Sequence, residues 1–145
     1  IYIFDEQLKK SRKIANIEKS KLVRLDNHLF VLGSSGVFRN FKPFSEAAEN
    51  LLTDNFVAAL GFDKNGNLWA GTFRSGIDVF TSEGKKIKHI EDDKIREINY
   101  LNLQDGEVAA ATSKGLWRFK EDFSAENFAP TSVSHFSGKA VATNK

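Results

Sequence analysis

Leu68-Trp-Ala-Gly-Thr-Phe-Arg-Ser-Gly76-Ile77 carries a pattern that the chain writes twice more. An apolar run ends near a small residue, a polar turn follows, and a glycine opens the next apolar run. The other copies are Leu29-Phe-Val-Leu-Gly-Ser-Ser-Gly-Val37-Phe38 and Val108-Ala-Ala-Ala-Thr-Ser-Lys-Gly-Leu116-Trp117. Their closing glycines stand at 36, 76 and 115, a period of about 40 residues. That period suits one four-stranded blade of a β-propeller, a unit that cannot cover its own apolar faces and must stack on equivalents. A fourth copy begins at Ala140-Val-Ala-Thr-Asn-Lys145 and stops before its glycine.

Working outward from the central copy, Phe56-Val-Ala-Ala-Leu-Gly-Phe62 is apolar on both alternating faces, as an inner strand between two blades requires. Asp63-Lys-Asn-Gly66 supplies a tight turn through its Asn-Gly pair. Asn67–Thr72 and Ile77–Phe80 then read as the second and third strands, and Lys86-Ile-Lys-His-Ile90 as a more polar outer strand. The first blade follows with Lys21–Leu25, Leu29–Gly33 and Val37–Phe41, and a helical turn is expected near Ser45–Leu52. The third uses Ile98–Leu103, Val108–Thr112, Leu116–Phe119 and a looser Phe123–Phe128. Ile1–Phe4 and Lys13–Ile17 read as the last two strands of a preceding blade, and Val133–Phe136 and Ala140–Thr143 as the first two of a following one.

The expected fold class is therefore all-β, a partial propeller of three full blades and two half blades. The expected divisions are a half blade over 1–20, blades over 21–53, 54–94 and 95–130, and a half blade over 131–145. Complementary halves can pair within the chain, across two copies, or with further blades of a longer polypeptide. The last is the expectation preferred here, because an open arc exposes two apolar blade faces. The absence of methionine and a first residue already in strand pattern point the same way, to a processed product or an internal fragment.

Composition excludes several classes. Lys and Arg number 21 against 19 Asp and Glu, a net charge of +2, and no continuous basic stripe for nucleic acid is visible. The cluster Lys85-Lys86-Ile-Lys88 lies beside Glu83 and Glu91-Asp92-Asp93, the pattern of solvated edges that resist edge-to-edge pairing. With no cysteine there is no disulfide framework and no thiolate zinc site. No apolar stretch approaches the ~20 residues of a membrane-spanning helix. Thirteen phenylalanines beside the repeats are read as inter-blade packing.

Phe62-Asp-Lys-Asn-Gly-Asn-Leu-Trp-Ala-Gly-Thr72, followed by Gly76-Ile-Asp-Val-Phe80, resembles the two-component regulator propeller repeat. The match is good in the second blade. It is partial in the third, where Ala111-Thr112 replaces Gly71-Thr72 and the Trp moves to 117, and weaker in the first, with Gly33-Ser34. The resemblance implies a periplasmic or extracellular sensor ectodomain of bacterial hybrid signalling proteins, often recognising saccharide breakdown products. Similar repeats occur in streptogramin B lyases, which need a channel-facing histidine, and in secreted surface proteins. No kinase, receiver or DNA-binding segment is present in this sequence.

The sequence carries little catalytic chemistry. Asp63-x-Asn65-x-Asn67 opens like a calcium loop, but Leu68 and Arg74 stand where Gly and Glu are needed, so a hairpin turn is expected. There is no Gly-Lys-Ser/Thr phosphate loop and no Gly-x-Ser-x-Gly elbow. His28, His89 and His135 occupy different places in their repeats, which argues against a shared metal site. His135 is the one placed near the channel by an inner strand.

The binding surface is expected on the turns joining second and third strands and on the loops joining each fourth strand to the next blade. The first set is Ser34-Ser35, Phe73-Arg74-Ser75 and Ser113-Lys114, with Asn144-Lys145 in the fourth copy, and His135 is a further contact. Arg74 and Lys114 bring positive charge and Phe73 an aromatic face, a mixture suited to a saccharide or a small anionic ligand. The expected function is a non-enzymatic recognition or sensor module without metal or cofactor. The alternatives are a propeller lyase or hydrolase using His135, and a scaffold propeller that binds other proteins.

Overall fold

The computed structural model describes residues 2–4, 7–13, 21–25, 27–33, 36–39, 42–43, 52–54, 56–104 and 107–127. Among these every regular element is a β-strand. A two-stranded antiparallel pair comes first, β1 (Tyr2–Phe4) with β2 (Ser11–Lys13). The sheet after it contains β3 (Lys21–Leu25), β4 (His28–Gly33), β5 (Gly36–Arg39) and β6 (Lys42–Pro43). The next contains β7 (Val57–Phe62), β8 (Leu68–Thr72), β9 (Ile77–Phe80) and β10 (Lys86–Ile90). The third contains β11 (Ile98–Gln104), β12 (Glu107–Thr112), β13 (Gly115–Phe119) and β14 (Ala125–Asn127). Each sheet is an antiparallel meander in chain order, and the first strands β3, β7 and β11 lie alongside one another.

Three expectations shift. The strand that partners β1 includes Ser11–Lys13, so pairing begins before the expected Lys13–Ile17, with Tyr2 opposite Lys13; residues 14–17 lie outside the described residues. In the third sheet the outer strand, among the described residues, is Ala125–Asn127. Phe123 belongs to the turn before it, at φ 65, and its ring packs on Trp69 of the sheet before. The first copy also aligns one residue differently. Gly33 pairs with Gly36 as Thr112 pairs with Gly115, so Gly33 holds the threonine position and Leu32 the position of Gly71. The expected helical turn over 45–51 and the fourth copy over 131–145 lie outside the described residues.

Strand alternation gives the middle sheet two buried faces, the reason β8 and β9 are buried along their whole length. In β8 and β9, Leu68, Ala70 and Phe80 pack with Phe30 and Val37 of the preceding sheet. Trp69, Ile77 and Val79 pack with Ile98, Leu101, Val108, Ala110, Trp117 and Phe119 of the following one. The Trp69 ring meets Phe119 with centroids 5.5 Å apart. Burying side chains of this size from both sheets at ~25 cal/mol per Å² makes each inter-sheet seam the main stabilising term.

Two glycines set the spacing. A Cβ on Gly71 would stand 2.5 Å from Ile98 Cγ2, so the absent side chain admits β11 close against β8. Gly76 sits at φ +65, where any Cβ would also strike the Ile90 carbonyl. The Asp63 turn behaves as its sequence implies. Asp63 Oδ1 accepts the amides of Asn65 and Asn67 at 2.9 Å, and Oδ2 accepts Asn67 Nδ2 at 3.0 Å and the Trp69 indole at 2.9 Å. Burial pushes this carboxyl up, but the hydrogen bonds from Trp69 and Asn67 prevail and hold it below its ordinary value.

Candidate functional site

Successive sheets present equivalent turns at one end. Thr72 is fully buried, donates its hydroxyl to the Gly76 carbonyl at 2.9 Å and accepts the Ser75 amide at 2.9 Å. Beside these turns run the segments that lead into the next inner strands. Phe73 N donates to Phe56 O at 3.0 Å, Gly76 N to Arg96 O at 2.8 Å and Ser113 N to Glu97 O at 3.3 Å. Each turn is thereby bonded to a segment preceding an inner strand, and the turns and lead-in segments form a common surface.

On that surface two aromatic side chains stand out in water. Phe56 is 60% exposed and Phe73 45% exposed, in a sheet whose other large apolar groups are mostly buried. They meet edge to face with centroids 5.6 Å apart. Next to them Arg74 grips Asp54 in a two-point fork, Nε to Oδ2 at 3.1 Å and Nη2 to Oδ1 at 3.0 Å. Asp54 Oδ1 also accepts the Phe56 amide at 2.9 Å. The Arg74 hydrogen bonds hold the Asp54 carboxyl below its ordinary value despite partial burial. The positive charge expected of Arg74 is balanced by Asp54, and the two-point fork fixes the plane of its guanidinium.

Behind the patch lies a polar cluster that sequence reasoning missed. Asp78 is fully buried in β9, in register opposite His89 on β10. Its carboxylate lies 2.8 Å from His89 Nδ1 and 3.2 Å from Lys86 Nζ, and accepts both the amide and the hydroxyl of Thr53. His89 Nε2 stands 3.2 Å from Glu91 Oε2, and Glu91 Oε1 accepts Arg96 Nε at 2.9 Å. Hydrogen bonds from His89 and Arg96 hold the Glu91 carboxyl below its ordinary value. The signal available in the sequence was the single acid in Ile77-Asp-Val-Phe80, an apolar strand with no turn to explain it.

Of the residues expected to bind, Phe73, Arg74 and Ser75 lie together on this surface, and Ser113 and Lys114 form the equivalent turn of the following sheet. Lys114 is exposed and Ser113 half-buried. Ser34, Ser35 and His135 lie outside the described residues. Asp54 and Phe56 join the patch from the lead-in to the second blade; Phe56, expected inside the inner strand Phe56–Phe62, stands just before β7 and is exposed. A separate groove of about 290 Å³ runs along the inner strands, lined by residues that include Leu25, Phe62, Tyr100 and Asn102.

No family model and no curated protein matches the sequence. Solved structures do. The chain is similar to the extracellular domain of BT3049 of B. thetaiotaomicron, assigned as a hybrid two-component system, at TM-score 0.66 and 22% identity over 88% of this chain. It is similar to the extracellular domain of BT4673 of the same organism, assigned as a one-component system, at TM-score 0.64 and 15% identity over 89% of this chain. A computationally designed protein, Ika8, matches at TM-score 0.62 and 17% identity over 86% of this chain. The chain spans 20% and 19% of the two ectodomains and 39% of the designed protein. These likenesses and the three stacked meanders identify the fold as all-β, built of four-stranded β-propeller blades.

Proposed function

We propose that the chain is part of a non-enzymatic, extracytoplasmic sensor propeller whose turn-bearing end recognises a small ligand. Its blades would divide near residues 21–53, 54–94 and 95–130, with half blades on either side. The missing faces would be covered by further blades of the same polypeptide or by a second copy. The observation that carries the reading is the exposed Phe56–Phe73 pair, held in place by the Asp54–Arg74 fork. Two adjacent aromatic groups kept in water by ordered polar contacts forgo burial energy, which is the pattern of a contact surface.

The ligand class that fits is a saccharide, neutral or carboxylated. Its C–H face suits an aromatic ring, its hydroxyls suit the Asp54–Arg74 edge and Ser75, and a carboxylate would meet Lys114. The likeness to extracellular domains of signalling proteins supports the sensor assignment. The test is calorimetric titration of an oligosaccharide panel into the full-length protein and its Phe73→Ala variant. A saccharide should bind, and the variant should bind it about tenfold more weakly while still unfolding cooperatively, its midpoint lowered only by the loss of the Phe56 contact. Equal affinity of variant and parent would remove the patch from the site.

A further inference from the structure

We propose that Asp78 is the positioning residue of the aromatic patch, acting on it from inside the blade through two hydrogen-bonded arms. The inference rests on the reading of Phe56 and Phe73 as the recognition surface. A fully buried carboxylate in an apolar strand is tolerated only where its oxygens are bonded; Lys86 supplies the counter-charge at 3.2 Å, and the other bonds lead in two directions.

The first arm is Thr53. Its amide reaches Asp78 Oδ2 at 2.6 Å and its hydroxyl reaches Oδ1 at 2.9 Å, so one carboxylate fixes both the backbone and the side chain of that residue. The next residue is Asp54, which caps the Phe56 amide and forks with Arg74. The second arm is His89, which stands between Asp78 and Glu91. Glu91 holds Arg96, whose carbonyl accepts the Gly76 amide. Arg74 and Gly76 both follow Phe73 in its turn, so two anchors of that turn trace back to one buried carboxylate. Loop residues held by bonds to a rigid strand stay pre-ordered for a ligand, whereas residues on an untethered connection do not.

The test is amide hydrogen exchange in the full chain, which needs no ligand. Thr53→Val removes the hydroxyl arm at nearly constant volume, and Thr53→Ser restores it. In Thr53→Val the Phe56 and Phe73 amides should exchange about three- to tenfold faster, and Thr53→Ser should return them to the parent rate. The Asn67 amide, held by Asp63 in the β7–β8 turn, should not change in either variant. Asp78→Asn should reproduce the Thr53→Val pattern; where it does not fold, Thr53→Val carries the test. Unchanged exchange at Phe56 and Phe73 in Thr53→Val would overturn the proposal. Equal acceleration at Asn67 would also overturn it, because the role would then be general stability. If the amides respond while no saccharide binds, the ligand assignment fails and the positioning role of Asp78 stands.

Discussion

Thr72 and Thr112 hold the same post in successive blades. Each is fully buried, and each hydroxyl reaches the carbonyl of the glycine that ends its turn, Gly76 at 2.9 Å and Gly115 at 3.1 Å. Each also accepts a turn amide, from Ser75 at 2.9 Å and from Lys114 at 3.0 Å. The hydroxyl therefore substitutes for solvent at a turn closed against the neighbouring segment. Thr72→Val should cost about 1–3 kcal/mol by leaving buried polar groups unbonded, and Thr72→Ser distinctly less. Urea unfolding of the two variants measures the difference.

Gly71 separates β8 from the next inner strand by the width of one missing carbon. Gly71→Ala should destabilise by about 1–3 kcal/mol through overpacking against Ile98. Shortening the partner with Ile98→Ala should recover part of that loss, so the two changes together should cost less than their sum. Thermal unfolding of the single and double variants checks the sign of the coupling.

Acid should loosen both the patch, through Asp54, and the β7–β8 turn beside Trp69, through Asp63. Asp54 and Asp63 are held below their ordinary value of 3.8, so their bonds contribute stability that is present above that pH and lost as pH falls through the lower folded-state value. The unfolding midpoint should therefore fall as pH is lowered from 5 toward 2 (about the range in which carboxylates titrate). Asp54→Asn should flatten part of that dependence. Midpoints recorded across the range for parent and variant test the direction.

Most of the blade architecture was legible because it depends on local pattern. Asp63-Lys-Asn-Gly66 and the apolar alternation around it define a hairpin without knowledge of any neighbour. Register was less legible. The extra residues Ala58 in β7, Asn99 in β11 and Ile87 in β10 shift pairing by one, and nothing in their chemistry marks them as bulges. The patch was half legible. Phe73 and Arg74 announce themselves in a polar turn, but Asp54 reaches Arg74 across 20 residues of sequence, and Thr53 reaches Asp78 across 25. Such partners are set by how one blade folds back on its own lead-in segment, which periodicity does not encode.

The whole account depends on blades two and three meeting face to face, and the Trp69–Phe119 contact is the most direct probe of that seam. A double-mutant cycle with Trp69→Leu and Phe119→Leu should give a favourable coupling of about 0.5–1.5 kcal/mol. Strictly additive losses would mean that the two rings do not touch, and the stacked arrangement that places both turns on one surface would be wrong.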